Sequence, residues 1–222
     1  MSHKVGIISD AHGNVDALSK CIKFLKSKKV NKVFFLGDGV GYMPYGAGVA
    51  KLLMHHEITS IMGNHEAMLL GRISYTPEQG EIYRFGNQLS EIPLDWIKQI
   101  EKNGHRHIVN LFGKKIIFTH GTPRDPLLGY GRTASEIYNP EADVIFTGHT
   151  HRPHIFEEKS TMLINPGSCG MPRDNGSLLS LAIVDFGTMQ PNIYRIKYSF
   201  SPHLKSKVHP VVLECFKRED NV

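Results

Sequence analysis

The chain has 222 residues, 41% hydrophobic and 21% charged, with a formal net charge of +5. That balance excludes a largely disordered chain and suits a single domain, 1–222, able to bury a core without disulfides or a structural metal. Three scattered cysteines (Cys21, Cys169 and Cys215) speak against a secreted disulfide framework, and no apolar run approaches the ~20 residues that span a bilayer, so a cytoplasmic location is expected.

Residues 5–8 form a short apolar run that reads as a buried strand. Val15, Leu18, Ile22 and Leu25 then recur at helical spacing across 15–29. A second strand is expected at 33–36. The glycine-rich stretch GDGVGYMPYG follows, then a helix over 47–56 and a third strand at 58–62. Residues 66–103 read as mostly helical, with Pro93 opening a new helix. Residues 105–110 and 116–119 flank Gly113 and predict a hairpin or edge pair. Further strands are expected at 144–147, 162–164, 178–186 and 192–197. In the tail, 199–222, Val211, Val212, Leu213, Cys215 and Phe216 are expected to pack back on the domain, with a second subunit as the other partner left open. Strands alternate with helices early and dominate late, which fits a mixed α/β sandwich.

The residues that end the strands carry the chemistry. VGIIS runs into Asp10 and His12, and VFFLG into Asp38. ITSIMG runs into Asn64, His65 and Glu66. IIFT runs into His120, and DVIFTG into His149 and His151. In an open α/β sheet, sites form beyond the carboxyl ends of the strands. Taken singly, each residue has a plainer explanation, because Asp and Asn form turns and cap helices. Taken together they do not, since capping needs no histidine and four of these segments supply one. Asp10 and His12 stand two apart, as do His149 and His151, so each pair projects to one side of an extended segment. Carboxylate, amide and imidazole donors without thiolate suit Mn²⁺, Fe or Zn²⁺. Seven candidate ligands are too many for one catalytic ion that keeps an open position. Two ions are expected, with the Asp38 carboxylate bridging them.

These segments resemble the calcineurin-like metallophosphoesterase family. Its signature runs D-x-H, G-D, G-N-H-D/E, a lone H, and G-H-x-H. Here it stands as Asp10-Ala11-His12, Gly37-Asp38, Gly63-Asn64-His65-Glu66, His120, and Gly148-His149-Thr150-His151. NPGS at 165–168 and Met171-Pro172-Arg173 extend the likeness. SDAHGN, LGDGVGY, HGTPRDP and GHTHRP are most similar to the small prokaryotic branch. The resemblance implies an α/β fold: a two-sheet mixed β-sandwich flanked by helices, with the metal site at the carboxyl ends of strands. It also implies two divalent ions, manganese first, with iron, zinc and nickel as alternatives. One ion takes Asp10, His12, Asp38 and His151. The other takes Asp38, Asn64, His120 and His149, and a hydroxide bridging the two is the expected nucleophile.

The implied activity is hydrolysis of a phosphate ester, read first as a phosphodiester of a small or nucleotide-like substrate. A phosphomonoester and a dinucleoside polyphosphate are the alternatives. A scaffold on the same fold is the non-enzyme alternative, and it is disfavoured because no ligand of the signature is missing. His65 is expected to act as general acid or leaving-group stabiliser. Arg124 and Arg173 are candidates for gripping a second phosphate or an anionic edge, Tyr42 for lining the pocket, and Asn14 for capping the first helix. No membrane or nucleic-acid partner is expected, and a homo-oligomer is left open.

Overall fold

In the computed structural model, which describes residues 3–30 and 32–220, the chain begins β1 (Lys4–Ile8), α1 (Val15–Ser27), β2 (Lys32–Phe35), α2 (Gly46–His55) and β3 (Thr59–Ser60). Four helices follow: α3 (Asn64–Leu69), α4 (Pro77–Tyr83), α5 (Gln88–Glu91) and α6 (Leu94–Asn103). Then come β4 (Arg106–Leu111), β5 (Lys114–Thr119), α7 (Ala134–Ile137), β6 (Val144–Phe146), β7 (His154–Glu158), β8 (Thr161–Asn165), β9 (Leu178–Asp185) and β10 (Gln190–Lys197). The tail adds α8 (Pro202–Lys205) and α9 (Pro210–Cys215).

Two mixed sheets result. The first has the order β10-β9-β1-β2-β3, and the second β4-β5-β6-β8-β7. β1, β2 and β3 are parallel, as are β5, β6 and β8, while β4, β7, β9 and β10 pair antiparallel to their neighbours. Side chains alternate across each strand. Val5 and Ile7 of β1 and Phe34 of β2 meet Phe118 and Phe146 of the second sheet between the layers. Ile8 and Phe35 face the other way, onto Leu18, Ile22 and Leu25 of α1, Leu53 of α2 and Trp96 of α6. The far side of the second sheet is covered by Ile137 of α7 and Ala142. This is the two-sheet sandwich with flanking helices that the sequence predicts.

Local chemistry sets the boundaries. The Asn14 side chain accepts from the Ala17 N–H at 3.3 Å and caps α1, with Asp16 in the first turn and Lys26 in the last. The expected hairpin is present: β4 and β5 pair antiparallel through Phe112 and Gly113, both at positive φ, as a tight hairpin turn requires. The region 66–103 breaks where Gly71, Pro77, Gly86 and Pro93 fall, and Thr76 with Gln79 forms a capping box that restarts it. The third strand is shorter than expected. β7 is not among the expected strands, because HIFEE holds a single apolar pair, Ile155-Phe156, and lies half-exposed at a sheet edge. The tail packs on its own chain, with Leu204, Val208 and Val212 burying Met43 and Met171 while Val211 stays exposed.

Candidate metal centre

Parallel strands deliver the cluster. Asp10 and His12 follow β1, Asp38 follows β2, Asn64 opens α3 beyond β3, His120 follows β5, and His149 and His151 follow β6. Two hydrogen bonds tie the strand ends together: within the second sheet the Gly148 N–H donates to the His120 carbonyl at 2.8 Å, and across the two sheets the His149 N–H donates to Asp10 Oδ2 at 3.2 Å. Asp10, His12, Asp38, His149 and His151 all have φ between 48° and 64°. Non-glycine residues in that left-handed region cost of order 1 kcal/mol each. The surrounding structure holds five of the seven expected ligands there.

The donor atoms fall into two groups. In the first, His12 Nε2 lies 3.1 Å from His151 Nε2, and His151 Nε2 lies 3.3 Å from Asp10 Oδ1. In the second, His120 Nε2 lies 2.9 Å from Asn64 Oδ1, 3.2 Å from His149 Nδ1 and 3.4 Å from Asp38 Oδ2. Asp38 Oδ2 is also 3.7 Å from His12 Nε2, so it stands between the groups. All seven side chains are buried.

The outer ring nitrogens decide what these groups fit. His12 Nδ1 donates to the Val40 carbonyl at 3.1 Å, His120 Nδ1 to the Leu36 carbonyl at 2.8 Å, and His151 Nδ1 to the Met171 carbonyl at 2.6 Å. A carbonyl only accepts, so Nδ1 must carry the proton. In the neutral rings of His12 and His151, both Nε2 atoms then present lone pairs to each other at 3.1 Å. Asp10 Oδ1 adds a third acceptor and has no hydrogen-bond partner. Three buried acceptors aimed at one point, with no donor among them, fit a cation.

Electrostatics agree. Burial pushes the Asp10 carboxyl up to about 7, the His149 imidazole down to about 3, and His12 and His151 well below the usual range. At His120 burial works the same way but is outweighed by the Asp38 carboxylate, which holds the ring at about 9. Burial opposes ionisation of Asp38 as well, yet His120 and His65 bring it well below the carboxylate norm. On that side a protonated His120 therefore faces an ionised Asp38, a buried ion pair of zero net charge.

His65 is buried beside the cluster rather than within the two groups. Its Nε2 lies 3.9 Å from Asp38 Oδ2, its Nδ1 has no partner, and burial takes its pKa down to about 4. It also forms a close triplet with His12 and Asp38 that could hold a cation. The Tyr42 ring packs on His12 and His65 at 4.7 and 4.8 Å. Arg173 donates to the Tyr130 hydroxyl at 2.9 Å and to the Tyr42 hydroxyl at 3.3 Å, and its charge is felt at Asp10, His12 and His151. Arg124 is exposed and, among the described residues, makes no hydrogen bond or ion pair with the cluster.

Two residues matter more than their sequence context suggested. Glu66 accepts from the backbone N–H groups of Asp38, Gly39, Val40 and Gly63 at 2.7–3.2 Å, pinning the loop that carries Asp38 onto the start of α3. The Ser168 hydroxyl donates to the Asp10 carbonyl at 2.8 Å and accepts from the Gly170 and Met171 N–H groups. GNHE and NPGS were the available signals, but neither shows which backbone groups its carboxylate or hydroxyl would reach.

With that geometry in place, the likenesses to known proteins take on meaning. An uncharacterized protein of Methanocaldococcus jannaschii is 29% identical over 221 residues, covering 87% of each chain. A phosphodiesterase of the same organism is 27% identical, covering 75% of this chain and 84% of its own. The crystal structure of a metallophosphoesterase from Sphaerobacter thermophilus shares the fold at 21% identity, with a TM-score of 0.77 over 98% of this chain and 99% of that one. Residues 3–189 match the family model of the calcineurin-like phosphoesterase superfamily domain, a span that contains every donor in the cluster. The chain belongs to the calcineurin-like phosphoesterase superfamily.

Proposed function

We propose that the chain hydrolyses a phosphodiester of a small or nucleotide-like substrate, using two divalent ions, manganese first. One ion is assigned to Asp10, His12, Asp38 and His151, the other to Asp38, Asn64, His120 and His149. The observation that carries this reading is the pair of donor groups divided by Asp38, with the His12 and His151 lone pairs facing each other. When bound, such ions supply Lewis acidity toward phosphoryl oxygens and a water acidic enough to act near neutral pH.

The remaining work falls to side chains of the chain itself. His65 is neutral at pH 7, since burial holds its pKa near 4, and a neutral imidazole keeps one N–H to offer the departing oxygen. Arg173 is steadied by two tyrosine hydroxyls and presents its remaining donors to phosphoryl oxygen. Preference for a diester is supported by space. A cavity of about 660 Å³ lies on the Tyr130 side of Arg173 and one of about 390 Å³ on the Tyr42 side, one for each substituent on phosphorus. The name of the M. jannaschii relative points the same way.

The test sets bis(p-nitrophenyl) phosphate beside p-nitrophenyl phosphate, with chelator and with added Mn²⁺. Expected is diester turnover abolished by chelator, restored by Mn²⁺, and at least tenfold above the monoester. A preference for the monoester overturns the diester reading. Metal-independent turnover overturns the assignment of the cluster.

A further inference from the structure

The larger cavity is more specific than a space for any ester substituent. Four arginines line it: Arg132, Arg152, Arg173 and Arg218. They come from four segments, and each is held in place. Arg132 stacks over the Tyr130 ring at 5.4 Å, and Arg218 donates to the Arg173 carbonyl at 3.4 Å. Arg173 is fixed by the tyrosine hydroxyls described above. Among the described residues, Arg132, Arg173 and Arg218 have no carboxylate within ion-pair distance. Glu136, near Arg132, spends its carboxylate on the Arg132 and Thr133 N–H groups.

Arg152 alone has an acidic partner. It pairs with Asp220 at 2.5 Å, with both side chains about half exposed. An exposed pair of that kind is weak, and a dianion can displace it. The Asp220 carboxylate thus stands where an anionic ligand group would sit. The cavity also adjoins the metal centre. Tyr130 packs on the ring of His149 at 4.4 Å, and the lining residue Thr150 lies between His149 and His151 in the chain. Phe156, stacked on His154 at 4.5 Å, gives the cavity an aromatic wall.

We propose that this cavity is a second-phosphate subsite, so that the substrate is a nucleotide ester carrying a phosphate besides the one attacked. Arg152 and Arg218 grip that phosphate, and Tyr130 and Phe156 flank the nucleoside. Arginine suits the task because its planar fork matches phosphate oxygens. The volume is that of a small-molecule site. The proposal rests on the phosphodiesterase reading above and deepens it. It also gives the tail a function, since Arg218 and Asp220 both belong to it.

The test uses the full chain loaded with Mn²⁺ and a set of chromogenic esters. The p-nitrophenyl ester of thymidine 5′-phosphate is compared with the same ester bearing a 3′-phosphate, and with the p-nitrophenyl ester of thymidine 5′-diphosphate. Expected is a kcat/KM at least tenfold higher for one of the two esters with the extra phosphate. Arg152→Ala and Arg218→Ala should each cut that preference about tenfold or more, the usual scale for a lost charge-assisted bond. Asp220→Asn should raise it, because the competing carboxylate is gone. A merely structural role for the tail predicts no such opposite signs. If all three esters are hydrolysed alike, the subsite is wrong and the phosphodiesterase reading survives. If none is hydrolysed with metal bound, that reading fails and takes the subsite with it.

Discussion

Glu66 shows how much of the centre depends on a residue that touches no reacting atom. Its carboxylate gathers four backbone N–H groups from the Asp38 loop and the Gly63 turn. Glu66→Gln places an amide NH₂ among those donors and leaves at least one N–H unpaired. The expected cost is about 2–3 kcal/mol of folding stability, with weaker metal binding because Asp38 is released. Denaturant unfolding and a metal titration check both. His65 makes the opposite prediction. His65→Ala should keep both metals, measured by elemental analysis, yet lose about 10²- to 10⁴-fold in kcat. Retained turnover at full occupancy removes it from the chemistry. At this scale the sequence showed donor types and spacing, and the seven expected ligands lie together. It could not show what Glu66 does, because three of its four partners are backbone groups 26 to 28 residues away.

The elements position the centre through one close approach. Gly37 has φ +92°, and a Cβ built there would lie 2.5 Å from the backbone nitrogen of Gly63. The turn after β2 and the turn before α3 can touch only because glycine occupies that position. Gly37→Ala is expected to cost about 2 kcal/mol or more from strain and overlap. It should also lower metal affinity, since both turns carry proposed ligands; thermal unfolding with and without Mn²⁺ reads the two effects. Most strands were legible in advance because their apolar runs are buried on both sides. β7 was not, because its one apolar pair, Ile155-Phe156, is followed by two glutamates and leaves neither a run nor an alternation to read. The helices between 64 and 103 were legible as helical but not as four pieces. Their ends are set by capping and by the left-handed Arg84, which periodicity does not reveal.

For the molecule as a whole, stability should depend on pH through its buried imidazoles. His154 is not among the proposed ligands; it is stacked on Phe156, with a buried Nε2 that has no partner, and burial lowers its pKa to about 4. In the unfolded chain the same ring titrates near 6.5. Between those values the unfolded chain binds the extra proton. The contribution is therefore complete above about pH 6.5 and is lost as the pH falls toward 4. His154→Phe keeps the stack and removes the proton. The stability of wild type relative to this variant should fall across that window, and unfolding curves at a series of pH values measure the difference. An unchanged difference rejects it. No helix among the described residues is long and apolar enough to cross a membrane.

The pairing of β1 with β9 has a consequence in time. β1 leads into the first two proposed ligands, yet one of its long edges is closed only by residues 182–185. A ribosome adding roughly 5–20 residues per second needs about ten to forty seconds to go from one to the other. Throughout that interval the emerging polypeptide displays Asp10 and His12 beyond the end of a strand still open on one side, and for most of it His149 and His151 do not yet exist. On the two-ion reading, a cation therefore meets the full donor set only after residue 151 has emerged, and meets it on a closed sheet only once β9 has paired with β1.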